Sequence, residues 1–342
     1  MFEYIIKRIG LALLTLLVIV AVSYFLLRMA PGDPTRATNL LGGDQNAGKV
    51  SSDKNELAEN TTMREKLHLD KPAYIGFFYW LKGVVLHGDF GSSATVDPGR
   101  PVLQMIGERL PVTLSINIWA VLITYLLAIP LGIFSALNPG GKFDRGVTIV
   151  LFLMYSLPVI WVGLVLQATL CSGGKFPVFP LKGLEIGDTS MMTTWQIMGS
   201  QFMHYFLPVL CLAYGGFAGL SRYARTGMIE VIRQDYIRTA KAKGVSEFYV
   251  IFKHALRNSL ITLITLFAGL LPGLVAGSII IEHVFSIAGM GSLSLLALTS
   301  RDYPLQMALF GIAGTLTLSG ILLSDVLYVM VDPRISFSGK KL

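Results

Sequence analysis

The sequence predicts an all-α integral membrane protein with six spanning helices. Three observations carry that prediction. Of 342 residues, 53% are hydrophobic and only 14% charged, against roughly 25% charged in soluble domains. Apolar runs recur at bilayer length, which takes roughly 20 residues of helix to cross. Lys and Arg gather in the short flanks of alternate runs, as they do on the cytoplasmic side of membrane proteins. The net charge of +7, a pI of about 9.3 and a mean hydropathy of +0.62 fit the same picture. The bases stand beside apolar segments, as juxtamembrane bases do, which sets nucleic acid aside as a partner.

The first run follows Lys7 and Arg8 and covers 9–29. A cleaved signal has a core of about 7–15 residues and a small-residue cleavage site. This core is longer and leads into Arg28 and then Pro-Gly-Asp-Pro, so residues 1–29 read as a retained anchor helix. Five further spans are expected at 110–137, 148–171, 204–222, 258–284 and 307–331. Pro130, Gly132, Pro158, Gly163, Pro272 and Gly273 punctuate them. Membrane helices tolerate such residues where neighbours satisfy the freed backbone groups, so the spans read as a packed bundle. Residues 110–334 then form a five-helix core, followed by a tail at 335–342.

Orientation follows from the short flanks. Lys7, Arg8, Lys142, Arg145, the loop 223–257, Arg334, Lys340 and Lys341 fall on one side, which places both termini in the cytoplasm. Residues 30–109 also carry bases yet fall outside, because long loops translocate largely regardless of charge. Within that segment, 40–62 is rich in Gly, Asn and Ser and reads as flexible. From Met63 a helical pattern with aromatic residues reads as an ordered outer cap.

Enzymatic readings find no support. "GGDQNAGKV" at 42–50 nearly writes a phosphate-binding loop, but Val50 stands where Ser or Thr is needed and no strand precedes it. The chain is therefore not expected to hydrolyse ATP. Five histidines are scattered without ligand spacing, and Cys171 and Cys211 read as small buried hydrophobes, so no metal is expected. Few ionisable groups fall inside the spans. Glu282 reads as a helix-end group bonded to the following "SIAGMGS" turn, and Asp325 as a group paired within the bundle; a gating role is the other reading of both.

The most basic stretch carries the sharpest signal. Arg222 to Arg257 holds eight Lys/Arg against Glu230, Asp235 and Glu247. Gly244 is suited to the left-handed conformation that ends a helix, and Ser246 offers an N-cap with Glu247 in the next first turn. Two short helices are expected, Asp235–Lys243 and Ser246–Arg257, joined by a tight turn. A loop that only held the chain in place would need neither small residues nor a glycine turn nor a cap. The pattern points to a docking surface for a soluble partner, with Ala240 and Gly244 as small positions where backbones approach closely.

The stretch "DYIRTAKAKGVSEFYVIFKHALRNSL" resembles the ATPase-coupling loop of ABC importer permeases, in the form found in the oligopeptide/dipeptide branch. It departs from the general Glu-Ala-Ala pattern at Arg238 and Thr239. "APGDP" (30–34), "LDKP" (69–72), "HGDFGSS" (87–93), "RPVLQMIGERLPVTLSI" (100–116), "SLPVIWVGL" (156–164), "EHVFSIAGMGSL" (282–293), "RDYPL" (301–305) and "VDPRISF" (331–337) resemble the same branch in the same order. The resemblance implies a type I ABC importer permease in a bacterial inner membrane, moving di- or oligopeptides. It implies a homologous second permease, two cytoplasmic ATPase subunits that bind ATP and Mg, and an extracytoplasmic solute-binding protein; this chain would bind no cofactor. Asp235, Tyr236, Arg238, Thr239, Ala240, Lys241, Ala242, Lys243 and Gly244 would form the coupling loop, and Tyr74 and Trp80 would help dock the binding protein. Other cargo, such as nickel or sugar, stays open at this point. An ion-coupled carrier is the rival class, and the inverted repeats that such carriers show are not visible here.

Overall fold

The structure, a computed structural model, describes residues 2–29, 64–65, 68–181, 183–184, 190–256, 259 and 271–331. In chain order the helices are α1 (Phe2–Met29), α2 (Ala73–His87), α3 (Val102–Leu137), α4 (Lys142–Ser156), α5 (Val159–Leu170), α6 (Thr194–Ile232) and α7 (Asp235–Ala242). Then come α8 (Glu247–Tyr249), continued by a π-helical turn (Val250–Ala255), α9 (Leu271–Ala276), α10 (Ile279–Val284), α11 (Met290–Thr299) and α12 (Tyr303–Val331). Among the described residues, β pairing is limited to two isolated bridges, Ser92 with Pro101 and Cys171 with Phe179.

Among the described residues, four helices are long and apolar enough to cross a membrane, α1, α3, α6 and α12, and the bent pair α4–α5 makes a fifth if counted as one span. The expected span at 258–284 lies largely outside the described residues, which there include only Ser259 and the segment from Leu271 onward. Two helices are longer than expected: α3 begins at Val102 rather than at 110, and α6 covers Thr194–Ile232 rather than 204–222. Hydropathy marks where lipid contact stops, whereas the backbone ladder runs on until a cap ends it. At the start of α6 the cap is local, with the Thr193 N–H donating to Gln196 Oε1 at 2.9 Å.

Proline acts in two ways here. Pro111 and Pro130 lie within α3, and Pro208 within α6, without ending either helix. At Pro158 the expected span 148–171 instead breaks, and α4 and α5 meet at 89°. The residue before proline is driven out of the helical region, and Leu157 accordingly sits extended at φ −91°, ψ 127°. Neighbour chemistry supports the break: the Tyr214 hydroxyl, brought by α6, donates to the carbonyls of Met154 and Leu157. The break takes carbonyl oxygens from their in-helix donors in an apolar setting, where each unsatisfied group costs several kcal/mol; the Met154 oxygen also accepts from the Leu157 N–H at 3.3 Å.

Packing groups the chain into two compact units, residues 1–111 with 290–319, and residues 112–289 with 320–342. In the first, Val102, Met105 and Ile106 pack with Met290, Leu293, Ala297, Leu305 and Ala308. Asp302 is fully buried there and pins a loop. Its Oδ2 accepts from Ser93 Oγ (2.5 Å) and from the N–H groups of Ala94 (3.0 Å), Thr95 (3.0 Å) and Val96 (3.1 Å). Its Oδ1 accepts from the Leu305 N–H at 3.1 Å, capping α12.

In the second unit, Ile116, Cys171, Leu207, Cys211, Ile281 and Ile287 share one core, and both cysteines are free and buried, as read from the sequence. A second core joins Ala128 of α3 to Ala213, Phe217, Leu220 and Ala224 of α6. Close approach of these two helices depends on Gly132. A Cβ there would stand 2.5 Å from the Ser221 carbonyl oxygen and 2.9 Å from the Arg225 nitrogen, both backbone atoms that cannot rotate away. Gly132→Ala is therefore expected to push α3 off α6 and cost about 1–3 kcal/mol, as overpacked cores do. Thermal unfolding of the purified chain in detergent checks this, and an unchanged midpoint would contradict it.

Candidate functional site

The loop after α6 turns the sequence signal into a shape. α7 covers Asp235–Ala242, and its end is a Schellman turn. The Gly244 N–H donates to the Lys241 carbonyl (3.0 Å), and the Val245 N–H reaches back to Ala240 (3.3 Å). Gly244 holds φ +79°, the left-handed region that favours glycine, and a Cβ there would meet no atom within 4 Å. The demand at this position is thus backbone conformation and not space.

A single large side chain fastens α7 to the rest of its unit. Ile237 is 1% exposed and packs with Ile133 and Ala136 of α3, Met228 of α6, and Val250, Ile251 and Ala255 of the π turn. The segment after α8 was expected to be regular α-helix to Arg257; its π turn has a packing reason. Bonding from i to i+5 stacks Ala255 near Val250 on one face, and Val250, Ile251 and Ala255 are all buried in this same cluster.

Burial sorts the expected loop residues into two faces. Asp235, Tyr236, Arg238, Thr239, Lys241, Ala242, Lys243 and Gly244 are exposed. Ala240 is not: it is half-buried against the cluster that holds Ile237, so the expectation that it faces a partner groove is corrected. It stands three residues after Ile237, on the same helix face. Ala242 is the small residue left on the open side. The ion pairs here are loose and solvated, Arg238 with Asp235 and Lys241 with Glu247, each at 3.6 Å.

One loop-flanking base has another task. Arg225, counted from sequence as part of the basic cluster, makes a two-point ion pair with Asp144 of α4: Nε to Oδ1 at 2.7 Å and NH2 to Oδ2 at 2.8 Å. Asp144 is buried and also accepts from the Gly140 N–H at 2.8 Å. The sequence signal was available, since Asp144 is a lone acid between Lys142 and Arg145 at the edge of an apolar run. Ile237 is an apolar residue among charged neighbours and Asp302 stands in "RDYPL" ahead of an apolar run, but neither pattern told which contacts it would make.

The remaining expected residues are spread out. Glu282, in α10, is fully buried and accepts from Thr113 Oγ1 at 3.1 Å. Gly289, in the turn that follows, leaves room for its carboxylate, since a Cβ there would lie 2.7 Å from Oε1. Asp325 is half-buried on α12. On α2, Tyr74 is exposed, whereas Trp80 is half-buried, stacked on Phe77 and edge-on to Phe90. Six helical positions separate the two, which puts them on different faces, so Trp80 does not share an exposed surface with Tyr74.

These features define a class: a polytopic helical membrane subunit carrying a short helix, fastened at one point, between long apolar segments. The chain belongs to the family of binding-protein-dependent transport system inner membrane components, which matches residues 128–337, and the N-terminal component of the same systems matches residues 1–117. The oligopeptide transport system permease protein AppB of Bacillus subtilis is 36% identical over 337 residues, covering 98% of this chain and 100% of that one. The dipeptide transport system permease protein DppB of Lactococcus lactis is 32% identical, covering 98% and 99%. Among solved structures, the inward-facing MetNI methionine ABC transporter shares the fold, with a TM-score of 0.50 at 16% identity over 67% of this chain and 97% of that one. The chain is thus a multi-pass permease subunit of an ABC importer, not an enzyme; in such systems a separate subunit is the ATPase.

Proposed function

We propose that this permease imports di- or oligopeptides as one of two homologous membrane subunits, driven by two ATPase subunits and fed by an extracytoplasmic binding protein. The observation that carries the cargo is end-to-end similarity to permeases named for oligopeptides and dipeptides, 36% and 32% identical over 98% of this chain. In this reading the chain has six spans, both termini and the 223–257 loop are cytoplasmic, and residues 30–109 are outside.

The exposed face of α7, from Asp235 to Lys243, seats in a groove of one ATPase. Because Ile237 ties α7 to α3, α6 and the π turn, a displacement of the ATPase is passed to the bundle and not absorbed by a slack loop. ATP acts by its differential affinity for two states of the assembly. Glu282 and Asp325 belong to the bundle's internal contacts.

The test is uptake of a labelled oligopeptide by vesicles containing the full complex. Uptake that needs ATP and is blocked by vanadate supports the reading. Uptake that follows an ion gradient without ATP overturns the mechanism, and ATP-driven uptake of only non-peptide solutes overturns the cargo.

A further inference from the structure

α2 is apolar on almost every side. Its sequence, AYIGFFYWLKGVVLH, contains no acid and has Lys82 and His87 as its basic groups. A helix that is hydrophobic all round is normally buried in a core or in lipid. Yet Tyr74 is 65% exposed, Phe78 66%, Val85 70% and Leu86 63%. Tyr74, Phe78 and Val85 follow at i, i+4 and i+11 and form one stripe. Gly76 and Trp80 lie on the other side, in or near the contact with α1.

The depth of α2 relative to the first span is fixed by contacts within the same unit. Phe77 packs against Tyr24 (5.6 Å between ring centroids) and Phe25 (6.1 Å), and Gly76 sits beneath the Tyr24 hydroxyl. Arg28, in the last turn of α1, donates to the carbonyls of His68 (3.1 Å), Leu69 (2.6 Å) and Lys71 (2.7 Å), clamping the turn that leads into α2. Tyr24 and Phe25 stand five and four residues before Met29, or about 6–8 Å from the helix end at 1.5 Å per residue. Interfacial helices lie about 5–10 Å into the headgroup and acyl boundary. At 15 residues, α2 is also shorter than the roughly 20 needed to span.

We infer that α2 lies in the outer membrane–water interface, with the Tyr74, Phe78 and Val85 stripe in lipid. Lys71, held over the Tyr79 ring at 4.5 Å, and Lys82 stand at its rim, where phospholipid headgroup phosphates meet them. Lipid is favoured over the binding protein as occupant because the Tyr74, Phe78 and Val85 stripe itself is uncharged and the helix that carries it is held against a membrane span on its other side. The inference needs the membrane location of the chain but not the peptide cargo, so the two fail separately.

The test attaches a fluorescent NBD group at Phe78→Cys, Val85→Cys and, as a control on an exposed loop, Pro98→Cys. The full transport complex is held in phosphatidylcholine/phosphatidylglycerol nanodiscs, and the native Cys171 and Cys211 are buried. Lipids carrying a nitroxide near the headgroup should lower emission about twofold or more at 78 and 85, where aqueous iodide has little effect. Position 98 should show the reverse. Iodide quenching at 78 and 85 equal to that at 98 overturns the inference. Iodide protection that appears only when binding protein is added overturns it too, and assigns the face to docking.

Discussion

Replacing Ile237 by Ala is expected to silence ATP-driven uptake in a permease that still inserts in the membrane. Helices shorter than about 12–15 residues are marginal in water on their own, and α7 has 8, so its order comes from this one buried side chain. Truncating a buried Ile to Ala costs about 2–5 kcal/mol, enough to detach α7 from its cluster while the long helices keep their own packing. Three graded comparisons come with it. Ala240→Phe overfills the same cluster, at about 1–3 kcal/mol, and so acts on how the loop seats against its own spans. Gly244→Val strains a left-handed turn by about 1–2 kcal/mol without a clash. Lys241→Ala loses an exposed 3.6 Å contact of the kind worth about 0–1 kcal/mol and should leave uptake nearly intact. Uptake, peptide-stimulated ATP hydrolysis and ATPase pull-down on normally expressed variants give the ranking. The coupling assignment is falsified if Ile237→Ala transports like the parent.

The largest loss of stability should come from Arg225→Ala. Asp144 is buried and would keep its charge with the Gly140 N–H still donating to it and the Arg225 guanidinium gone. Breaking one side of a buried pair costs about 3–5 kcal/mol, because the remaining charge is left uncompensated. The opposite design sharpens the test: Asp144→Leu with Arg225→Leu removes both charges, and such replacements are often neutral or stabilising. The double variant should therefore unfold at a higher temperature than Arg225→Ala alone. Equal midpoints for parent and Arg225→Ala would mean that the pair contributes nothing to holding α4 against α6.

What was legible in the sequence was whatever composition or backbone chemistry expresses locally. Apolar runs located α1, α3, α6 and α12, and Gly244 marked its own turn, because only certain residues accept a positive φ cheaply. The ends of α3 and α6 were not legible, since a helix continues past its lipid-facing stretch. Pro158 looked like Pro130 and Pro208 from sequence alone; whether a proline breaks a span depends on a neighbour such as Tyr214 donating to the freed carbonyls. The direction of Ala240 was misread for a similar reason. Small size was taken as a sign of a partner, whereas the chain's own Ile237 cluster occupies that side.

The π turn at Val250–Ala255 makes length, and not only composition, matter to everything after it. A π turn accommodates one residue more than the α-helix it interrupts. Deleting a single residue there would restore a plain α-helix and leave the following side chains near their present direction, whereas a deletion in the regular helix beside it would rotate them by about 100°. Only the second kind of deletion would take Ser259 from its place beside Met228. Single-residue gaps should therefore be tolerated better at the turn than beside it, and in a library of one-codon deletions across 245–259 the surviving variants would gather at 250–255.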